Sequence, residues 1–419
     1  MSFTTLERKI GSALSGLPFL KGLLKKLYFH IINVGFKNDK TLLKLNNNIK
    51  IFSPFEWANI DDNDTRENMF GYFDITPWSK CSDYYINNYF INKKTLEVVI
   101  FDRKLNEKRT IAYSKAVNLQ HCALAQWVGL DQLIINNIEN NKVVSEIYDV
   151  NGRLIRKFNY PVQTVSNDFR LFSSIDYSYL DSIGSDYGYK LKKSNQYNKS
   201  ELKPSLNVIC LKNGSVINCI KSQELNQLCK LNVKKIRNQE LNHAKFSNGD
   251  KYLSFIYRWC ERSKRKSKLI VLDIETNTLS EINNFEIVSH YCWLDNHSLL
   301  VWGKIDSEAK FIHINISKNK SIENRNDNIN KLGDGHPTKL HESKVICDTY
   351  PDRSRMQLLY ILDYKNWTKK KLIKLYSPLK FINKRRVDLH PRMSPCLNYI
   401  SIDTSYSGKR KNLIVKLKL

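Results

Sequence analysis

A short polar turn followed by an apolar run recurs about seven times along the chain. The copies are TPWSKCSDYYINNYF (76–90), QWVGLDQLIINNI (126–138), VSNDFRLFSSIDY (165–177), FSNGDKYLSFIYR (246–258), WLDNHSLLVWG (293–303), TKLHESKVICDTY (338–350) and MSPCLNYISIDTS (393–405). Each run is rich in aromatic and branched residues, the composition of a strand. Most copies are followed by a second apolar pair broken by a polar turn, as in SEIYDVNGRLIRKF (145–158) and LNVICLKNGSVINCI (206–220). Their Asn-Gly dipeptides are strong hairpin signals. Four strands at a period of roughly 45 residues describe a propeller blade.

The pattern therefore predicts an all-β chain, a seven-bladed β-propeller over 41–419, preceded by a short helical segment over 1–40. After the last copy only one strand remains, NLIVKLKL (412–419). The seventh blade then lacks its outer strand, and TLLKLNNNIKIF (41–52) is expected to supply it. Pairing of the two termini would remove an exposed edge. A polar loop (192–203) and a short helix (222–231) are expected as insertions between the third and fourth copies. Long amphipathic helices between strands are few and a Gly-rich phosphate loop is absent, which argues against an α/β nucleotide-binding fold.

Four histidines fall just ahead of the turn in four consecutive copies: His243, His290, His336 and His390. In a propeller, equivalent positions of adjacent blades converge on the central channel. Imidazoles so gathered, with Asp334 and Asp388 two residues before their histidines, form a candidate divalent-metal site. The competing reading is inter-blade hydrogen bonding. Arg258 and Trp259 end the strand after His243. Tyr350, Arg353 and Arg355 lie in DTYPDRSR, and Arg386 and Arg392 flank DLHP. Arginine suits carboxylate binding and aromatics suit sugar faces, so these are candidate substrate-binding residues for an acidic carbohydrate. Inter-blade salt bridges are the alternative for the arginines.

Charge and cysteine content narrow the setting. The net charge of +26 favours an anionic partner. Lysine is abundant throughout, however, and the basic residues form no stripe, so nucleic acid is not the expected partner. The nine cysteines show no CxxC and no paired spacing, which suits a reducing, cytoplasmic compartment. No run reads as a signal peptide or reaches the roughly 18 apolar residues of a spanning helix. The segment 17–36 places Leu20, Leu23, Leu24, Leu27 and Ile31 at helical spacing among Lys21, Lys25 and Lys26. It is expected to pack on the protein body, with peripheral contact to the inner face of a membrane as the alternative.

FGYFDITPWS (70–79), AQWVG (125–129), DYGY (186–189), SHYCW (289–293), DGHP with DTYPDRSRMQ (334–337, 348–357) and DLHPR (388–392) resemble a group of bacterial WD40-like propeller proteins encoded with surface-polysaccharide genes. That group is distantly similar to the oligogalacturonate lyases, propellers that cleave acidic oligosaccharides by β-elimination with a divalent metal such as manganese. The resemblance implies His336 and His390 as metal ligands. Asp388 stands where the lyases have a further histidine, and Arg385 stands near their glutamine ligand, where an arginine cannot ligate. It also implies His290, with His243 as the alternative, as the base, and Arg258 as the partner of a substrate carboxylate. Two functions follow as expectations: a metal-dependent lyase or hydrolase on an acidic glycan, or a non-catalytic platform for a glycan or a partner protein in polysaccharide assembly.

Overall fold

The structure, a computed structural model, describes residues 65–105, 108–191, 204–262 and 264–417, the strand residues 49–51 and 55–58, and the helical positions Leu23, Leu24, Leu27, Tyr28 and Ile31. It is a seven-bladed β-propeller of seven antiparallel sheets. In chain order the innermost strands are Asn68–Met69, Gln126–Trp127, Thr164–Val165, Ile236–Phe246, Ile287–Trp293, Thr338–Lys339 and Arg392–Met393. The polar turn of each sequence copy separates this inner strand from the second.

Both faces of each sheet are covered by a neighbouring blade, which explains the nearly unbroken apolar runs. In the strand Thr95–Asp102 of blade 1, Leu96, Val98 and Ile100 join the core shared with blades 2 to 4. Val99 and Phe101, pointing the other way, pack in a cluster with Ile414 of blade 7. Each such side chain, once fully buried, contributes about 1.5–3 kcal/mol. Substituting a charge on either face would therefore open an inter-blade seam.

Closure differs in detail from the expectation. The outer strand of blade 7 is Phe55–Ala58, paired antiparallel to Lys411–Leu417 with Phe55 opposite Leu417. The earlier strand Ile49–Ile51 instead extends blade 6, pairing with Thr368–Tyr376. The Ser53-Pro54 dipeptide separates the two strands, and proline disfavours continuation of a ladder. Residues 41–48 lie outside the described residues. The helix expected near 222–231 is present as Ser222–Leu228. A second helix, Tyr177–Ser182, capped by the Asp176 side chain, interrupts blade 3. The polar loop 192–203 and most of segment 1–40 lie outside the described residues. Leu23, Leu24, Leu27 and Ile31 are exposed rather than packed on the propeller. No described helix is long and apolar enough to cross a membrane.

Candidate metal centre and cavity

The four repeated histidines meet at one mouth of the channel. His243 and His290 lie within the inner strands of blades 4 and 5, and His336 and His390 sit two residues ahead of the inner strands of blades 6 and 7. Ring centroids step from His243 to His290 by 5.4 Å, to His336 by 4.3 Å and to His390 by 4.3 Å. All four are buried. His243 and His390 have positive φ, 54° and 45°, so their backbones depart from the extended conformation where the side chains turn inward.

Each imidazole is oriented through its Nδ1. His390 Nδ1 donates to the Gly71 carbonyl at 2.8 Å. His336 Nδ1 meets Asp348 Oδ1 at 2.8 Å, and His290 Nδ1 meets Asp334 Oδ1 at 3.0 Å. With acceptors at Nδ1, the neutral rings carry the proton there and keep the Nε2 lone pair free. Asp348 also receives the backbone N–H groups of His336 at 2.7 Å and His390 at 3.0 Å, so one carboxylate ties the two approach loops together. Gly335 permits this contact, because a Cβ there would collide with the Asp348 carbonyl oxygen.

His336, Asp388 and His390 each offer one ligand atom, and these atoms lie within 4.8 Å of one another. Asp388 gives Oδ2 to Arg386 Nε at 2.8 Å. Its Oδ1 is buried without a hydrogen-bond partner. A buried carboxylate oxygen left unpaired is costly unless a cation takes it. Two imidazoles and one carboxylate are a donor set for a divalent transition metal, with coordination positions left open. Burial alone would lower the His336 imidazole, yet Asp348, Asp388 and Asp334 hold its pKa above the usual histidine value. Burial, and then the neighbouring His336, push His390 well down. The surroundings thus favour positive charge at His336 and a neutral ring at His390.

The loop after Met69 forms the floor. Asp403 accepts the Phe70 and Gly71 N–H groups, each at 2.9 Å. Phe73 lies 5.1 Å from the His336 ring and 5.8 Å from His290. The Tyr72 hydroxyl bonds His243 Nδ1. Beside the histidines opens a cavity of about 330 Å³. Its wall includes His290, Tyr350, Arg386, Tyr187, Arg258 and Trp259. Arg258 approaches Glu240 at 3.8 Å and donates to the Ser289 carbonyl at 3.0 Å. Arg386 also binds Asp186 at 2.8 Å.

Neither a protein-family model nor a curated protein matches the sequence. Solved structures do. An oligogalacturonate lyase in complex with manganese superposes with a TM-score of 0.58 at 12% identity, over 87% of this chain and 97% of that one. An oligogalacturonate lyase from Vibrio parahaemolyticus gives 0.57 at 10% identity, over 88% and 96%. The tricorn protease gives 0.50 at 11% identity, over 84% of this chain and 34% of that one. The structural neighbours are thus oligogalacturonate lyase-like propellers. At these identities the likeness establishes the fold, and the chemistry must be argued from this chain's own residues.

The candidate residues divide accordingly. His290, Arg258, Trp259 and Tyr350 line the cavity. His243 is in the histidine ring but is not on the cavity wall, and is paired with Tyr72. Asp334 is turned to His290 and Ser289 rather than to the metal-ligand group. Arg355 donates to Ser377 and to the Phe381 carbonyl and is buried away from the cavity. Arg392 is fully buried, bonding the Gly71 and Tyr72 carbonyls and Asp403. Arg353 is not on the cavity wall. These arginines look alike in sequence, and only the inter-blade packing separates them. Residues that sequence reasoning left without a role are Asp348, Tyr72, Asp186, Tyr187 and Glu240. Most lie in stretches that carried the resemblance, where the motif was visible but the direction of each side chain was not.

Proposed function

We propose that this protein is a metal-dependent lyase acting on an acidic oligosaccharide. The observation that carries the reading is the His336–Asp388–His390 group, with its unpartnered Asp388 oxygen, beside an arginine-lined cavity. A divalent ion held there, with manganese expected from the similar lyase, supplies Lewis-acid polarisation of a substrate carboxylate. His290 faces the cavity with its Nδ1 tied to Asp334, so its Nε2 lone pair is placed to remove the proton alpha to that carboxylate. Asp334 stabilises the imidazolium that results. The C–H electrons form the new C=C bond, and the glycosidic oxygen leaves with its electron pair and takes a proton from solvent. Arg258 and Arg386 offset the substrate's negative charge. Phe73 and Tyr72 close the floor and limit water.

A cytoplasmic role in surface-polysaccharide assembly belongs to the same reading, supported by the free cysteines and by the resemblance of the quoted motifs. The test is incubation of the manganese-loaded protein with uronate oligosaccharides while following the ultraviolet absorbance of an unsaturated uronate. Metal-dependent growth of that absorbance is expected. Metal and glycan binding without a double bond would overturn the lyase reading in favour of the platform.

A further inference from the structure

Two exposed features lie outside the histidine mouth, and the lyase reading uses neither. The first is the helical stretch near the N-terminus. Leu23, Leu24, Leu27 and Ile31 fall on one helical face and are 40% to 61% exposed. Lys21, Lys25 and Lys26 stand among them in the sequence. Between Glu7 and Asp39 the chain has no acidic residue and six lysines or arginines. The second feature is the rim of blade 4. Its inner strand continues past His243 back to Ile236, beyond the histidine ring. At this end Arg237 lies opposite Cys260, and Cys260 lies opposite Arg265. The hairpin turns at Arg262 before Lys264, and the short 3₁₀ helix Val233–Lys235 leads into the inner strand. Lys234, Lys235, Arg237, Arg262, Lys264 and Arg265 are all exposed. Of these, only Arg265 forms an ion pair among the described residues, at 3.5 Å to Glu240. Glu261, opposite Lys264, offsets one charge. Val233 stands beside Lys234 and Lys235 at 57% exposure.

We infer that the protein docks on an anionic lipid surface through both features. The Leu23–Ile31 face enters the boundary between headgroups and acyl chains. The blade 4 rim lies on the headgroups with Val233 inserted between its lysines. The combination of apolar and cationic groups decides the partner. A soluble polyanion would use the cations and leave the leucines in water. A second copy would cover the leucines and bring the lysines beside them together, which like charges oppose. A bilayer with anionic headgroups takes both, since the leucines bury while the lysines reach the phosphates. Each lysine or arginine at such a surface adds to binding, and salt screens the addition. The inference is independent of the lyase reading, because neither feature touches the metal-ligand group.

The experiment is co-sedimentation of the full chain with vesicles of phosphatidylcholine alone and of an equal mixture with phosphatidylglycerol. Binding to the mixed vesicles, weakening as salt is raised, is expected, with little binding to the neutral ones. Leu23→Ser/Leu27→Ser should weaken it by more than about a hundredfold. Lys234→Gln/Lys235→Gln/Lys264→Gln should weaken it about fifty- to two-hundredfold. All five positions are exposed, so the propeller is expected to fold in both variants, and circular dichroism checks that it does. Equal binding to both kinds of vesicle, or none to either, would overturn the inference. Unchanged binding in either variant would overturn the two-point docking. Binding to heparin without binding to mixed vesicles would assign the cations to a soluble polyanion instead. Dimerisation without lipid that the leucine variant abolishes would assign the apolar face to a second copy.

Discussion

Asp388 gives one carboxylate oxygen to Arg386 Nε at 2.8 Å and keeps the other, also buried, without a partner. The arginine fixes the carboxylate in rotation beside the ligand group, with Oδ2 4.0 Å from His390 Nε2. Asp388→Asn retains the shape and removes the anion. Manganese affinity should fall by more than about a hundredfold, beyond the usual effect of losing an outer partner. Titration of free manganese by electron paramagnetic resonance measures it. Unchanged affinity would remove Asp388 from the site.

His290 and His336 stand 4.3 Å apart between ring centroids yet have different proposed tasks. His336 belongs to the ligand group, and His290 is held by Asp334 on the cavity wall. His336→Ala should abolish metal binding and activity together. His290→Ala should keep the metal and lose about 10²- to 10⁴-fold in elimination rate, the range for a general base. Metal content and rate measured side by side separate them. Loss of metal in both variants would make His290 a ligand.

The propeller was legible because a blade buried on both faces must repeat one pattern, and the turn–strand copies carry it openly. The histidine register was legible for the same reason, since equivalent positions of adjacent blades converge. Direction within the mouth was not. Arg258 and Arg392 both flank strand ends near a histidine, but one reaches the cavity and the other is sealed behind Gly71 and Tyr72. Trp259 read as a stacking surface and proved almost completely buried, packed against Tyr257. That Ile49–Ile51 adds a fifth strand to blade 6 while Phe55–Ala58 completes blade 7 depends on how far the chain travels around the ring, which a local pattern does not encode.

Asp74 lies in the floor loop with Oδ1 buried and unpartnered. Burial pushes its carboxyl up to about 6, opposed by Lys245 from blade 4, by His336 from blade 6 and by Arg392 from the inner strand of blade 7. The unfolded value is near 4. Between these values the folded chain holds a proton that the unfolded chain has released. Stability from this group is therefore present below about pH 4 and lost as pH rises toward 6. Asp74→Asn should stabilise the protein by on the order of 2 kcal/mol at neutral pH and by little at about pH 4. Urea denaturation at both pH values checks it. A pH-independent difference would mean that shape, not charge, decides.

Arg392 is fully buried, with its guanidinium on the Gly71 and Tyr72 carbonyls and paired with Asp403. Asp403 in turn holds the Phe70 and Gly71 N–H groups. The pair thus pins the floor loop to blade 7. Removing one partner strands the other charge in the interior, so Arg392→Met should cost about 3–5 kcal/mol. Arg392→Met/Asp403→Leu should cost less than the sum of the single changes, because neither charge is then left alone. Urea denaturation of the four proteins gives the coupling. Additive losses would show that the pair does not act as one unit. Loss of uronate binding at unchanged stability would place Arg392 on the cavity after all.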